Sequence, residues 1–381
     1  MRITAVKTAR LQAHWGPWRR KWLLVRIDTD EGISGYGEAS SGNAGPALEA
    51  SVLGFKPLLL GQDPTNVEAL FRQMVATAYA GCHASHFDSG VTVHAASGLE
   101  TALWDLAGKA AGLPVHKLLG GKHRDRIRIY CCVGFLPTYL EMKPVYQKMG
   151  ITCLKFDTTA HAVSDMPGAL MEQHLTRQGL RQIVALVERI RSEVDDNIEL
   201  AVEGRCGTVA NAIRFLTALE PYDLAWAEDL IPPTDVDAWK TITAASRTPT
   251  LTGEGLHLRH EFLEYYRKDA LRFAAPDFQV CGGLAEGKKI AEMADLHHLL
   301  VCPHNASSPI GIAAALHACA AIPNLLALEF HAMPGWDRLL TGYRPQIREG
   351  HIEVPNGPGL GVELDEAKTR QCVMDGSSYF E

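Results

Sequence analysis

The sequence predicts an α/β protein whose larger part is a closed parallel barrel. Three observations carry that expectation. From about Ile127 onward, short β-rich runs alternate with amphipathic helical stretches. The chain before them reads as a separate unit of hairpin and helices. Ionisable residues recur at the ends of successive β-rich runs, the rim on which such a barrel builds its active site.

Residues 1–40 are β-structure: LLVRIDTDEGISGYGEA alternates on both sides of a DEG turn, a hairpin signal. Residues 46–123 are helical, with apolar residues spaced by three and four in PALEASVLGFKPLLLG, NVEALFRQMVATAYA and AASGLETALWDLAGKAAGL. LLGGKHRDR ends that section with a Gly-Gly break and a charged linker. The eight runs that follow are IRIYCCV, CLKFD, ELAVEG, DLAWAED, PTLTGE, RFAAPDF, HLLVCPH and LLALEF, with helices such as GLRQIVALVERIRSEV between them. Ile310–Phe330 is the longest apolar stretch, but it contains His317, Pro323 and Asn324, so it reads as a buried helix and then a strand, not a membrane span. The tail GHIEVPNGPGLGVEL alternates again and is expected to return to the N-terminal unit.

Composition excludes several classes. The 381 residues carry 37 Lys and Arg against 44 Asp and Glu, a net charge of −7, which argues against a nucleic-acid or anionic-membrane binder. Nine cysteines without a CxxC pair fit a reducing cytoplasm better than a disulfide framework or a structural zinc site. The N-terminus mixes charges into its apolar positions, so no signal peptide is expected. GYGEAS and GLGVEL are incomplete as dinucleotide loops, and HEFLE at His260 lacks the second histidine of a zinc protease.

Glu203, Glu228, Glu254, Asp277, His304 and Glu329 end six successive runs, at steps of 25, 26, 23, 27 and 25 residues. In phase, they converge on one volume. Three converging carboxylates raise one another's pKa unless a cation lies between them, and an all-oxygen set suits Mg²⁺ rather than zinc. Glu203, Glu228 and Glu254 are the expected Mg²⁺ ligands. Asp277 beside His304 fixes the imidazole tautomer and raises its basicity. Lys155, in the apolar run CLKFD, is expected to face the same metal.

These residues and their flanks resemble the enolase superfamily, in its mandelate racemase subgroup. LVRIDTDEGISGYGEA resembles the cap-domain signature and ETALWDLAGKAAGLPVHKLLGG the cap-to-barrel segment. WAEDLIPP and TPTLTGE resemble the second and third metal-ligand motifs. APDFQVCGGLAEGKKIA, VCPHNASSPIG and IPNLLALEFH resemble the Asp, His and Glu strands. The resemblance implies a (β/α)7β modified TIM barrel at 126–345 and an α+β N-terminal capping domain at 1–125, completed by a C-terminal segment at 346–381. It implies one Mg²⁺ and abstraction of the proton α to a carboxylate to give an enediolate. Lys155 would hold and polarise the substrate carboxylate; Glu329, protonated in the complex, would hydrogen-bond it too.

The sequence departs from the racemase pattern where KxK becomes Lys155-Phe156-Asp157, where Glu203 replaces the common Asp, and where Arg205 occupies a position that carries a His acid in some dehydratases. Without a second lysine, two-base racemisation lacks a base. The expected activity is therefore an acid-sugar dehydratase, with His304 as base and as acid for the leaving hydroxyl. A racemase, epimerase or cycloisomerase of the same family is the alternative, and a non-catalytic barrel the third. Asp157 and Arg205, both on neighbouring strands and above the metal, are expected to pair and to help bind substrate. Trp15 or Trp18 in the loop HWGPWRRKW would exclude water, and Arg19, Arg20 or Lys21 would meet a hydroxyl or a second carboxylate; Trp18 and Arg19 are the candidates put forward. His83 and His86 are expected to be solvated. The partners expected are a small-molecule carboxylate and further copies of the chain, with no nucleic acid and no membrane.

Overall fold

The computed structural model describes residues 1–15, 18–39, 45–80, 90–158, 166–172 and 174–381, with Trp15, Trp18 and 78–80 through their backbone alone. Strands β1 (Ile3–Trp15), β2 (Trp18–Thr29) and β3 (Ser34–Glu38) form an antiparallel sheet in that order. The DEG turn joins β2 to β3, and Gly32 supplies its left-handed residue at φ +77°. Helices α1 (Pro46–Gly54), α2 (Val67–Ala80) and α3 (Gly90–Ala111) follow. Helix α3 lies directly on β3: a Cβ at Gly35 or Gly37 would sit 2.2 Å from the Ala102 carbonyl or 2.1 Å from that of Gly98. Apolar residues of β2 and α3, among them Leu23, Val25, Leu99 and Leu103, form this unit's own core.

The second unit is a parallel barrel. Its strands are β4 (Arg126–Gly134), β5 (Cys153–Asp157), β6 (Glu199–Glu203), β7 (Trp226–Glu228), β8 (Thr250–Thr252), β9 (Phe273–Ala274), β10 (Leu300–Val301) and β11 (Leu328–Phe330). Each pairs with the next from β4 to β10. β11 pairs with β4, and a parallel bridge from Val301 to Leu325 links β10 to the segment before β11, which closes the barrel. Tyr130, Trp226 and Leu251 on the strands, with Ala275, Cys302 and Ala327 next to strand ends, belong to a buried cluster that fills the interior. Helices α4 (Leu136–Met149), α5 (Arg177–Glu193), α6 (Val209–Leu219), α7 (Val236–Ala244), α8 (Leu258–Arg267), α9 (Gly283–Leu296) and α10 (Pro309–Ala320) connect the strands. Amphipathic α5 buries Ile183, Val187 and Ile190 at helical spacing.

Each expected run holds a strand, yet several rim residues are not strand ends. β9 and β10 stop at Ala274 and Val301, three residues before Asp277 and His304. Pro276 and Pro303 intervene, and a proline has no N–H for the ladder. Glu254 lies beyond Gly253, and Glu329 is inside β11. Ile310–Phe330 resolves into buried α10 followed by β11. Among the described residues, no helix is long and apolar enough to cross a membrane, and every cysteine is free.

The C-terminal segment touches both units. His351–Glu353 pairs antiparallel with the start of β4, and later residues reach β1 through bridges from Val373 to Leu11 and Tyr379 to Ala9.

Two carboxylates of the first unit end on helices of the second. Glu38 accepts from the backbone N–H and hydroxyl of Ser308, the N-cap of α10. Glu100, on α3, accepts from Leu284 N at 2.8 Å and Ala285 N at 2.9 Å in the first turn of α9, and from the Trp104 indole at 2.7 Å. Anions are stabilised there because the first N–H groups of a helix have no intrahelical partner. Burial pushes Glu100 up to about 7, against the downward pull of the backbone and Trp104 hydrogen bonds. Its folded pKa exceeds its ordinary value of 4.5, so the folded chain holds the extra proton and stability falls as pH rises from 4.5 to 7. Glu100→Ala is expected to cost about 3 kcal/mol by orphaning buried donors, and to flatten that pH dependence. Urea unfolding at pH 5 and pH 7 checks both; an unchanged slope between the two would refute the assignment.

Candidate active site

Lys155 occupies the middle of β5 and points into the barrel, 2% exposed. Its Nζ lies 2.6 Å from Glu228 Oε1 and 3.1 Å from Glu329 Oε1. Burial alone would drive off its proton; Glu228 and Glu329 outweigh that and hold Lys155 well above the ordinary lysine range. It is an ammonium, a donor rather than a base.

Neighbouring strands bring the carboxylates together. The register sets Asp157 beside Glu203 and Glu203 beside Glu228. Glu228 is held at both ends, by Lys155 and by the Trp226 indole at 3.1 Å on Oε2. Burial pushes Glu228 up and Lys155 pulls it back, while Glu329, Asp229 and Glu254 add repulsion. Glu203 is likewise raised, by burial first and also by Glu254 and Asp157, against Lys155 and Arg205.

His304 stands across from this group. Its Nδ1 is 2.6 Å from Oδ2 of fully buried Asp277, whose other oxygen accepts from Gln279 N. Its Nε2 faces Glu254 Oε2 at 3.4 Å and Glu329 Oε2 at 3.5 Å. Burial would lower the imidazole, but Glu254, Glu329 and the Asp277 hydrogen bond carry it well above its ordinary value. Glu329 is held far below the carboxylate range: burial pushes it up, and Lys155 and His304 outweigh that. Lys155 and His304 thus favour the ionised form of Glu329, opposite to the protonated form expected from the sequence for the complex.

Lys155, Glu203, Arg205, Glu254, His304 and Glu329 all line one cavity of about 430 Å³. The ion pair expected between Arg205 and Asp157 is replaced by one between Arg205 and Glu203. Arg205, which follows the end of β6 with φ +25°, lies on the cavity side with Glu203, as residues two apart should, and takes that carboxylate as its partner. Of the loop candidates, exposed Arg19 donates to Gln12 Oε1 at 3.2 Å, whereas Arg20 reaches His331 Nδ1 at 3.0 Å and lines the cavity. Successive residues of β2 face opposite sides, so one arginine enters and the other does not. The side chains of Trp15 and Trp18, and all of His83 and His86, lie outside the described residues.

Sequence reasoning missed His94, Cys132 and His331, which also line the cavity. His331 follows the β11 glutamate by two residues, a detectable phase. Cys132 is hidden in an apolar run, and His94 comes from α3 of the other unit, which no barrel periodicity reveals.

Residues 8–120 match the family described as mandelate racemase/muconate lactonizing enzyme, N-terminal domain, and residues 140–368 match the enolase C-terminal domain-like family. The chain belongs to the mandelate racemase/muconate lactonizing enzyme subgroup of the enolase superfamily. It is similar to a D-xylonate dehydratase of Haloferax volcanii, 33% identical over 100% of this chain and 90% of that protein. It is also similar to a D-galactonate dehydratase of Variovorax paradoxus, 29% identical over 97% and 93%. Among solved structures, a mandelate racemase/muconate lactonizing enzyme-like protein from Rubrobacter xylanophilus superposes with TM-score 0.89, at 34% identity over 100% of this chain and 99% of that one. The 3,6-anhydro-D-galactonate cycloisomerase from Zobellia galactanivorans superposes with TM-score 0.84, at 27% identity over 98% and 100%.

For this enolase-superfamily chain, the donors on β6, β7 and the β8 loop can be tested against a hard cation. Glu203, Glu228 and Glu254 offer oxygen only, and Glu203 Oε1 is buried, touched by Arg205 but without a hydrogen bond. Burial raises Glu203 and Glu228, and Glu254 adds repulsion to both. These residues fit Mg²⁺ in donor type. Lys155 pairs with Glu228 and Arg205 with Glu203. Among the described residues, the group of potential ligand atoms within 4.8 Å of one another is Cys132, Glu329 and His331. That set suits a hard cation poorly: the Cys132 thiol is pushed up by burial, and the Arg20 guanidinium donates to His331.

Proposed function

We propose that the protein is a Mg²⁺-dependent acid-sugar dehydratase that converts a polyhydroxy carboxylate to a 2-keto-3-deoxy acid. The observation that carries this reading is the His304–Asp277 pair, its Nε2 turned into the cavity opposite Lys155. The D-xylonate and D-galactonate dehydratases to which the chain is similar support the substrate class.

Glu203, Glu228 and Glu254 would hold Mg²⁺, which supplies positive charge where the substrate carboxylate becomes an enediolate. Lys155 donates to that carboxylate and so binds and polarises it. With Glu254 committed to Mg²⁺, His304 would give up the proton that Glu254 and Glu329 hold on it, and in that neutral form it takes the α-proton through Nε2, while Asp277 keeps the proton on Nδ1 and stabilises the imidazolium. The same Nε2–H then protonates the β-hydroxyl, which leaves as water, and the resulting enol rearranges to the keto acid. Asp157 stands where the racemase pattern has its second lysine, so elimination, which needs one base, fits better than racemisation, which needs two.

Incubating the Mg²⁺-loaded protein with D-xylonate and D-galactonate is expected to produce a 2-keto-3-deoxy acid. Exchange of the α-proton in D₂O without keto acid would transfer the assignment to racemisation or cycloisomerisation. Neither product nor exchange would leave a non-catalytic barrel.

A further inference from the structure

The mechanism leaves unused a pair of imidazoles that spans the two units. His94 on α3 and His257, the N-cap residue of α8, meet Nε2 to Nε2 at 3.1 Å. Their rings lie 5.2 Å apart, tilted by 34°. His257 is buried; His94 is half-buried and lines the catalytic cavity with Gly255, Val280 and Ala306.

Glu261 Oε2 accepts from the His257 backbone N–H at 2.7 Å and lies 3.7 Å from His257 Nδ1. A carboxylate on that side favours the proton on His257 Nδ1. His257 Nε2 then carries a lone pair, and His94 Nε2–H must donate to it. His94 Nδ1 is left unprotonated, with no hydrogen-bond partner among the described residues. Burial, with His257 next, lowers His94 to about 4 against a small upward pull from Asp277, so the ring is neutral at neutral pH.

We propose that His94 is a substrate-contacting residue whose Nδ1 accepts a hydrogen bond from a hydroxyl of the bound acid, with Glu261 and His257 as positioning residues that fix its tautomer. This inference rests on the acid-sugar reading and narrows it. Lys155, His304 and Glu329 arise from the barrel strands and the loop after β10, and so mark the reacting end of the substrate. His94 comes from the other unit and lines the same cavity beside Gly255, Val280 and Ala306, so it meets a hydroxyl that Lys155, His304 and Glu329 do not hold. A lone acceptor there attracts an O–H and repels a second carboxylate. The favoured substrate at this position is therefore a monocarboxylic polyhydroxy acid.

The test compares D-xylonate with D-glycerate, which keeps the carboxylate and the two reacting carbons but lacks the distal hydroxyls. His94→Leu is expected to raise KM for D-xylonate by about tenfold, the loss of one hydrogen bond, with kcat little changed and with D-glycerate almost unaffected. His94→Gln keeps a carbonyl acceptor and is expected to restore most of the preference. Equal losses for both acids, or a Gln variant no better than Leu, would show a structural His pair and overturn the proposal while the dehydratase reading stands. If Leu disrupts folding, the Gln variant and Glu261→Gln decide by the same ratio: an unchanged preference in Glu261→Gln overturns the tautomer argument. A wild-type protein that yields no keto acid from any sugar acid would remove the dehydratase reading, and this proposal with it.

Discussion

His304→Asn is expected to lower kcat for sugar-acid dehydration by about 10²–10⁴-fold, the range of a positioned acid–base group. The effect is large because one imidazole serves both proton transfers. The asparagine amide can still donate to Asp277, so the buried carboxylate keeps a partner and the fold should survive. Mg²⁺ affinity, measured by calorimetry, should change little, since the proposed ligands are Glu203, Glu228 and Glu254. A variant with wild-type turnover would refute His304 as the base. A variant that loses Mg²⁺ binding in parallel would show that the imidazole acts through the metal site instead.

Lys155→Met is expected to be the most damaging single substitution in the barrel. It leaves the Glu228 and Glu329 carboxylates, each 1% exposed, without their shared ammonium. Removing one partner of a buried ion pair costs about 3–5 kcal/mol, because the remaining charge stays desolvated. Turnover should fall below detection, because the substrate carboxylate loses its donor as well. Guanidinium unfolding provides the stability measurement. A loss under about 1 kcal/mol would mean that water or a side-chain rearrangement replaces the ammonium.

How far the sequence reaches depends on whether a feature is local. The barrel was legible because each of its strands is a short apolar run between amphipathic helices, and Glu203, Glu228 and Glu254 share the phase of that repeat. Lys155 was legible because a charge inside CLKFD has nowhere to go but inward. The partner of Arg205 was not, because alternation brings Asp157 and Glu203 to the same side without saying which of them the guanidinium takes. Arg19 and Arg20 could not be told apart, because alternation says that they face opposite sides without saying which side is covered. His94 was invisible for a different reason: its place in the cavity follows from how the two units dock.

That docking has a consequence for engineering. Glu38 and Glu100 each seal the start of a barrel helix, α10 and α9, and those helices follow the strands that lead to His304 and Asp277. A chimaera that grafts the N-terminal unit of a relative onto this barrel must carry a carboxylate at both places, or it uncovers two helix ends immediately behind the proposed base. Swapping that unit to change substrate preference therefore puts the acid–base pair at stake along with specificity. Grafts that preserve these two glutamates and exchange only surrounding loops should express as folded protein far more often than whole-unit exchanges.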